Sequence, residues 1–212
     1  MITTESIIFF IILIISIIVH ELAHGYTALF LGDHTAENKG RLTLNPIAHA
    51  DLFGTIILPL IFLLSGSSFF FGFAKPVPYN PENLKNKKWG ETIVAIAGPI
   101  SNIILALFFL LLLFLFTHTG FGNELVLKVL NLSILINILL AVFNLLPIPP
   151  LDGSKVLFDL IKNYKVKYYK PVLNFFHKYQ LLIFIAFLFV LISTNFLGKI
   201  VYPIYQFLIN LI

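Results

Sequence analysis

The stretch His20-Glu21-Leu22-Ala23-His24 lies within an apolar run that extends from about residue 6 to residue 31. On a helix, the two histidines are four positions apart and share one face, and Glu21 is beside them. This spacing suits two nitrogen ligands for zinc and a general base for the attacking water. Ionisable groups are costly inside a membrane span, so we favour a functional site over two histidines that hydrogen-bond to neighbouring helices.

The composition is typical of a polytopic membrane protein, because 58% of the residues are hydrophobic and only 11% are charged. We predict an all-α polytopic fold, since most of the apolar runs have the length of about 20 residues that a membrane-crossing helix needs. No polar segment is long enough for a separate soluble domain. The whole chain, 1–212, is therefore predicted to be one membrane-embedded domain, with a core at about 6–160 and a C-terminal part at about 155–212. The predicted spans are about 6–31, 52–73, 92–116, 125–146 and 181–197, followed by a weaker apolar tail at 200–212.

Polar and small residues inside these runs recur at helical spacing and predict faces that meet inside the bundle. For Gly98 and Ala106, close helix packing is the favoured explanation. The three stripes are Ser16, His20, His24 and Thr27 in the first span, Gly98, Asn102 and Ala106 in the third, and Ser133, Asn137 and Asn144 in the fourth.

A catalytic zinc site usually has three protein ligands, and the absence of cysteine restricts the third one to His, Asp or Glu. Asp152 is a candidate because it follows three prolines, which end the fourth span and hold the chain extended. We expect Gly153 to permit a tight turn there. Asp is also a good helix N-cap, and the residues alone leave both roles open. Glu91 would be the third ligand in a different class of membrane metalloprotease.

The motif at 20–24 and the segment from Asn144 to Gly153 together resemble the site-2 protease family of intramembrane zinc metalloproteases. The family combines His-Glu-x-x-His in one span with Leu-Asp-Gly at the end of a later one, here Leu151-Asp152-Gly153. Residues 97–102 are similar to the family's Ala-Gly-Pro-x-x-Asn segment. Residues 45–51 and 74–78 are similar to its compact bacterial branch, which lacks PDZ and CBS domains, although Asp51-Leu52 replaces the expected Asp-Pro.

The resemblance implies a zinc metalloendopeptidase that hydrolyses peptide bonds in or near transmembrane segments of membrane-protein substrates, as in regulated intramembrane proteolysis. It implies one Zn²⁺ per chain, with His20, His24 and Asp152 as ligands and Glu21 as the catalytic base. Asn144 is a second catalytic candidate, as a donor to the substrate backbone or the oxyanion, and interhelical hydrogen bonding is its alternative. His49 either lines the site or is an ordinary interfacial histidine.

The expected partners are a transmembrane-helix protein substrate and the lipid bilayer, and no nucleic acid. The sequence does not indicate the oligomeric state. The alternative function is a membrane zinc transporter or a non-proteolytic metal protein, because histidines in spans would also serve such proteins.

A shared zinc site would place the C-terminal ends of the first and fourth spans on one side of the membrane. Segment 74–91 then lies on that side as well, because the third and fourth spans are antiparallel. The stretch 52–73 would therefore begin and end on one side, and we predict a re-entrant element there. The alternative is a full crossing at 52–73 with residues 32–50 on the outside.

The basic residues indicate the orientation. Twelve of the 14 Lys and Arg residues lie in 32–50, 74–91 and 147–180, which the positive-inside rule assigns to the cytoplasm. We therefore predict a bacterial cytoplasmic membrane protein whose active site opens toward the cytoplasm. Residues 159–178 are basic with interleaved apolar residues, and they predict an interfacial helix on anionic lipid.

Overall fold

The computed structural model describes residues 4–51, 54, 57, 75–120, 122–164 and 169–212, and these contain helices but no strand. A short 3-10 helix, Pro81–Asn83, precedes the second long helix. The α-helices are α1 Thr4–Phe30, α2 Thr35–Asn38, α3 Pro46–His49, α4 Gly90–Thr119, α5 Glu124–Asn144, α6 Asp152–Asn163, α7 Tyr169–Lys178, α8 Gln180–Thr194 and α9 Phe196–Ile209.

Three of these helices are long and apolar enough to cross a membrane, namely Ile7–Phe30 within α1, α4 and α5. They agree with the predicted first, third and fourth spans. The fifth predicted span differs, because the apolar run is broken at Asn195, whose backbone is left-handed with φ 50°. At 15 residues, α8 is about 22 Å long, which is shorter than the hydrocarbon core of about 30 Å. Together, α7 and α8 are long and apolar enough for one further span, but they meet at a bend of 75°.

The bundle is built around α4, which packs against both α1 and α5, and α9 packs against α5. One apolar core fills the space between α4, α5 and α9, and it includes Leu110, Leu113 and Ile134. On the outer face of α4, large apolar side chains such as Ile104 and Phe108 are exposed. An apolar exterior of this kind suits a lipid environment.

The predicted polar stripes do meet inside this bundle. Ser16 on α1, Asn102 on α4 and Asn137 on α5 are all buried, and their side chains are hydrogen-bonded to one another. At the ends of the stripes, Thr27 and Asn144 are only partly buried.

The segments on either side of 52–73 lie together at one end of the bundle. The N–H of Lys75 donates to the carbonyl of His49 at 2.9 Å, and the N–H of Lys85 donates to the carbonyl of Leu31 at 2.8 Å. Residues 32–50 are therefore on the same side as residues 75–89, as predicted, and the alternative that separates them is wrong. The predicted re-entrant element at 52–73 lies outside the described residues, apart from 54 and 57.

Helix α6 is fixed to the start of α4. The carboxylate of Asp159 accepts a 2.6 Å hydrogen bond from the hydroxyl of Thr92 and a 3.3 Å hydrogen bond from its N–H. Farther along α6, Lys162 pairs with Glu91 at 3.5 Å. The predicted interfacial helix at 159–178 is therefore two helices, and its first residue, Asp159, is buried against α4.

Candidate metal centre

The two histidines of α1 are buried, and each has its Nδ1 atom bonded to a residue of α4. The Nδ1 of His20 lies 2.6 Å from Oδ1 of Asn102, and the Nδ1 of His24 lies 2.7 Å from the carbonyl oxygen of Val94. Because both partners are acceptors, both Nδ1 atoms carry the proton. In the neutral form of each ring, Nε2 then has a lone pair, and the two Nε2 atoms face the same space.

Asp152 reaches this space from the first turn of α6. Leu151 is the N-cap of that helix and no side chain caps it, so the N-cap role for Asp152 is wrong. The expected role of Gly153 in a tight turn is also wrong, because Gly153 is helical. A Cβ at Gly153 would lie 2.2 Å from the carbonyl oxygen of Leu145. Glycine is needed because the loop after α5 packs directly against this turn.

The three candidate ligand atoms form a triangle of equal sides. His20 Nε2, His24 Nε2 and Asp152 Oδ2 are each 3.1 Å from the other two. Tetrahedral zinc with bonds of about 2.0–2.2 Å needs ligand atoms about 3.3 Å apart. Two imidazole lone pairs and a carboxylate oxygen at this separation repel one another unless a cation is shared. The donor set and its spacing therefore fit zinc, and among the described residues this is the group that could hold a metal ion.

Gly98 of α4 lies directly against the two imidazole rings. A Cβ at this position would be 2.5 Å from Nε2 of His24 and 2.6 Å from Nε2 of His20. The prediction that Gly98 serves close helix packing is thus incomplete, because the packing is against the candidate ligands themselves. Any larger side chain would occupy the space between the two rings.

A buried polar chain supports His20 from behind. Oδ1 of Asn102 accepts a hydrogen bond from Nδ1 of His20, and Nδ2 of Asn102 donates to Oδ1 of Asn137 at 2.9 Å. The Nδ2 of Asn137 in turn donates to Oγ of Ser16 at 3.0 Å and to the carbonyl of Ser133 at 2.9 Å. Each donation fixes the orientation of the next amide, so the chain determines which His20 nitrogen carries the proton.

Lys155 holds the other oxygen of Asp152. Its Nζ lies 2.9 Å from Oδ1, so Oδ2 is the oxygen that faces the histidines. Burial raises the pKa of the Asp152 carboxyl, but nearby positive charge, including that of Lys155, contributes to a net lowering of that pKa. The carboxylate is therefore ionised and directed at the centre by one oxygen.

Glu21 is beside His20, as the motif predicts, and its carboxylate has a backbone partner. Oε2 of Glu21 accepts a 2.7 Å hydrogen bond from the N–H of Val77. Val77 belongs to the segment that leads back toward α4, and its side chain is buried. Nothing in the local sequence around residue 21 predicts this contact.

The remaining candidates are not part of this group of ligand atoms. Asn144 donates to the carbonyl of Leu140 in its own helix at 3.0 Å, and its catalytic role stays a prediction. His49 is buried, and its Nε2 donates to the carbonyl of Thr43 at 2.7 Å, so it is not an exposed interfacial residue. Glu91 pairs with Lys162 and is not part of the group of candidate ligands.

Sequence reasoning missed several residues that support the centre. Lys155 is three positions after Asp152 on one helix face, and Val94 is four positions before Gly98, so helical spacing was available as a signal for both. The contact of Val77 with Glu21 joins residues that are 56 positions apart, and no pattern in a single sequence reports it.

Comparison with known sequences gives one consistent result. The chain matches the sequence model of Peptidase family M50 over residues 8–126 and 120–191. It is 44% identical over 158 residues to "Putative zinc metalloprotease YwhC" of Bacillus subtilis, which covers 70% of this chain and 67% of that protein. No solved structure matches the chain significantly.

Two mycobacterial relatives are more distant. The chain is 34% identical over 144 residues to "Putative zinc metalloprotease Rip2" of Mycolicibacterium smegmatis, which covers 66% of this chain and 52% of that protein. It is 30% identical over 177 residues to the protein of the same name from Mycobacterium tuberculosis. The aligned region covers 82% of this chain and 64% of that protein. The chain thus spans between about half and two thirds of the length of these relatives.

Proposed function

Because this chain belongs to peptidase family M50, and is therefore a zinc metalloprotease of membranes, we propose that it hydrolyses peptide bonds in or near the transmembrane segments of other membrane proteins. The observation that carries this proposal is the buried group of His20, His24 and Asp152 between helices that are apolar enough to cross a membrane. A site at that position meets a polypeptide only where the polypeptide is itself in or at the membrane.

In this proposal, His20, His24 and Asp152 hold one zinc ion and leave a fourth position open. When bound, zinc supplies a Lewis acid that polarises the scissile carbonyl and makes water acidic. Asn102 and the carbonyl of Val94 keep the proton on Nδ1 of each histidine, so that Nε2 is free to bind. Lys155 keeps Asp152 directed at the centre through one oxygen.

Glu21 is the proposed general base. Its carboxylate accepts the proton of the attacking water and then passes it to the leaving amine. The substrate has to be extended at the scissile bond, because a helix engages its own carbonyls in hydrogen bonds. Asn144, at the C-terminal end of α5, remains the candidate donor to the substrate backbone or to the developing oxyanion.

We place the protein in the cytoplasmic membrane of a bacterium, with the site opening toward the cytoplasm. The proximity of 32–50 to 75–89 supports this orientation, because these segments carry six of the 14 basic residues. The proposed substrates are single-span membrane proteins processed by regulated intramembrane proteolysis.

The test compares the wild-type protein with Glu21→Gln in nanodiscs that contain labelled single-span substrates. We expect Glu21→Gln to retain zinc, measured by elemental analysis, and to lose cleavage by about 100-fold or more. In cells, single-span fragments should accumulate in membrane fractions of the Glu21→Gln strain. A zinc transporter would instead keep its zinc flux in proteoliposomes when Glu21 is replaced, and that result would refute the protease.

A further inference from the structure

The segment from Lys75 to Pro78 is tied to the rest of the protein by its backbone. The N–H of Lys75 donates to the carbonyl of His49 at 2.9 Å. Nη2 of Arg41 donates to the carbonyl of Lys75 at 2.9 Å and to that of Pro76 at 3.4 Å. Two separate parts of the 32–50 segment therefore hold this short stretch in place.

Of the three residues Pro76, Val77 and Pro78, only Val77 has a backbone N–H, because proline has none. That N–H is bonded to Oε2 of Glu21 at 2.7 Å. The Val77 side chain is 5% exposed and packs against α1 at Gly25, where an added Cβ would be 2.9 Å from Val77 Cγ1. Glycine at position 25 thus allows the segment to approach α1 closely enough for this hydrogen bond.

The consequence for Glu21 is geometric. A glutamate side chain on a helix samples several rotamers, and a bond to a fixed backbone donor selects one of them. With Oε2 held by Val77, Oε1 is the oxygen left to accept a proton. A base held in one geometry avoids the loss of rate that follows from misplacement by about 1 Å.

We propose that the backbone N–H of Val77 positions the carboxylate of Glu21 for its role as general base, and that Arg41 holds the segment that carries this N–H. This inference rests on the proposed function, because it assigns Val77 a role in the same reaction. The several anchors on 75–78 favour a fixed support over a lid that must leave the site during turnover.

The first test replaces the Val77 amide by an ester, through incorporation of the α-hydroxy analogue of valine. This change removes the N–H and keeps the side chain. We expect kcat to fall by about 10- to 100-fold, with KM and zinc content unchanged. Val77→Ala, which shortens the side chain but keeps the N–H, should retain a higher kcat than the ester variant. An ester variant with wild-type kcat and intact zinc would overturn the proposal.

A second test concerns Arg41, whose Nη2 donates to the carbonyls of Lys75 and Pro76. Arg41→Met removes both hydrogen bonds, and we expect kcat to fall while KM and zinc content stay unchanged. Lys39→Met, which removes a positive charge from the same segment, is the control and should cleave like the wild type. Wild-type kcat in Arg41→Met would overturn the role of Arg41.

A third measurement does not depend on cleavage. The carboxylate signal of Glu21 in isotope-edited infrared spectra is assigned by its absence from Glu21→Gln, and it should shift in the ester variant but not in Val77→Ala. An unshifted signal in the ester variant would contradict the contact. If the signal shifts while the wild type cleaves no membrane-protein substrate, the proposed function fails and the contact stands.

Discussion

At Asn102, one buried amide connects a candidate metal ligand on α1 with the polar interior of α5. Its Oδ1 accepts from His20 and its Nδ2 donates to Asn137, so both ends of the amide are in use. An amide buried this completely is costly unless it is hydrogen-bonded, which makes its orientation well determined. The stripe pattern in the sequence predicted that Asn102 faces the interior. It could not predict the contact with His20, which depends on the rotation of α1 against α4.

Replacing Asn102 by leucine should weaken zinc binding by about 10- to 100-fold, because His20 loses the acceptor that keeps the proton on Nδ1. Asn102→Asp keeps an acceptor at that position and should bind zinc more tightly than Asn102→Leu. Competition with a fluorescent chelator measures both affinities. Equal zinc affinities for the two variants would contradict the role of the acceptor.

Replacing Gly98 by alanine should abolish zinc binding, because the new methyl group would lie 2.5–2.6 Å from ring atoms of both histidines. Ile100→Ala, on the exposed side of the same helix, is the control and should bind zinc normally. Elemental analysis of the purified variants gives the zinc content, and a full complement in Gly98→Ala would show that the rings can move aside.

At the scale of elements, α6 carries Asp152 at its start and is docked against α4 through Asp159, about two turns farther along. Asp159 bonds the hydroxyl and the N–H of Thr92 in the first turn of α4, where a carboxylate is also favoured by the helix dipole. The position of the candidate ligand thus depends on a contact about two turns away. The sequence indicated an amphipathic basic segment here, but not its division into α6 and α7, because docking to α4 is a tertiary effect.

Asp159→Ala should lower the free energy of unfolding by about 1–3 kcal/mol, since it leaves partly buried donors on Thr92 without their acceptor. It should also weaken zinc binding, because α6 is released from α4. Lys162→Ala, on the same helix as Asp159, removes only a partly exposed pair with Glu91 of α4 and should change stability by less than about 0.5 kcal/mol. Denaturant titrations in detergent test both. Similar losses for the two variants would refute a special role for Asp159.

The loop element after α1 has a buried acid at its centre. Asp33 accepts hydrogen bonds from Thr35, from the N–H of Asn80 and from the side-chain amide of Asn83. Burial raises the pKa of the Asp33 carboxyl, but these hydrogen bonds outweigh burial and lower it below its ordinary value. The folded pKa is thus below the unfolded value of about 3.9.

Asp33 should therefore stabilise the fold at pH values above about 4, and this contribution should be lost as the pH falls through the lower folded pKa. The difference in thermal stability between the wild type and Asp33→Asn should be largest near pH 6 and should shrink toward pH 3. Thermal scans over this range measure it. A difference that stays constant with pH would mean that the ionised form of Asp33 contributes nothing.

At the scale of the whole molecule, hydropathy was sufficient to predict α1, α4 and α5, because their apolar runs are long and uninterrupted. It did not predict the break at Asn195, since a single residue in a left-handed conformation leaves the mean hydropathy unchanged. The meeting of α1 and α6 followed from the family motifs rather than from the pattern of spans. The contact between Glu21 and Val77 depends on the complete tertiary arrangement.

The positions of the helix ends predict which residues can be labelled from the same side of the membrane. Because the chain has no cysteine, single introduced thiols can be measured directly. Asn38→Cys and Glu82→Cys should react with an impermeant thiol reagent from the same side of the membrane, because their segments are hydrogen-bonded together. Thr119→Cys, at the other end of α4, should react from the opposite side. Labelling of Asn38→Cys and Glu82→Cys from opposite sides would contradict this topology.

The buried polar chain of Ser16, Asn102 and Asn137 also restricts how a substrate can reach the centre. Separating α1, α4 and α5 would break the hydrogen bonds between these side chains in apolar surroundings, which costs free energy. The seams between these three helices are thus closed to an incoming polypeptide. We expect the proposed substrate to enter on the flank of α1 that carries Glu21, where it would meet the proposed base before the candidate metal ligands.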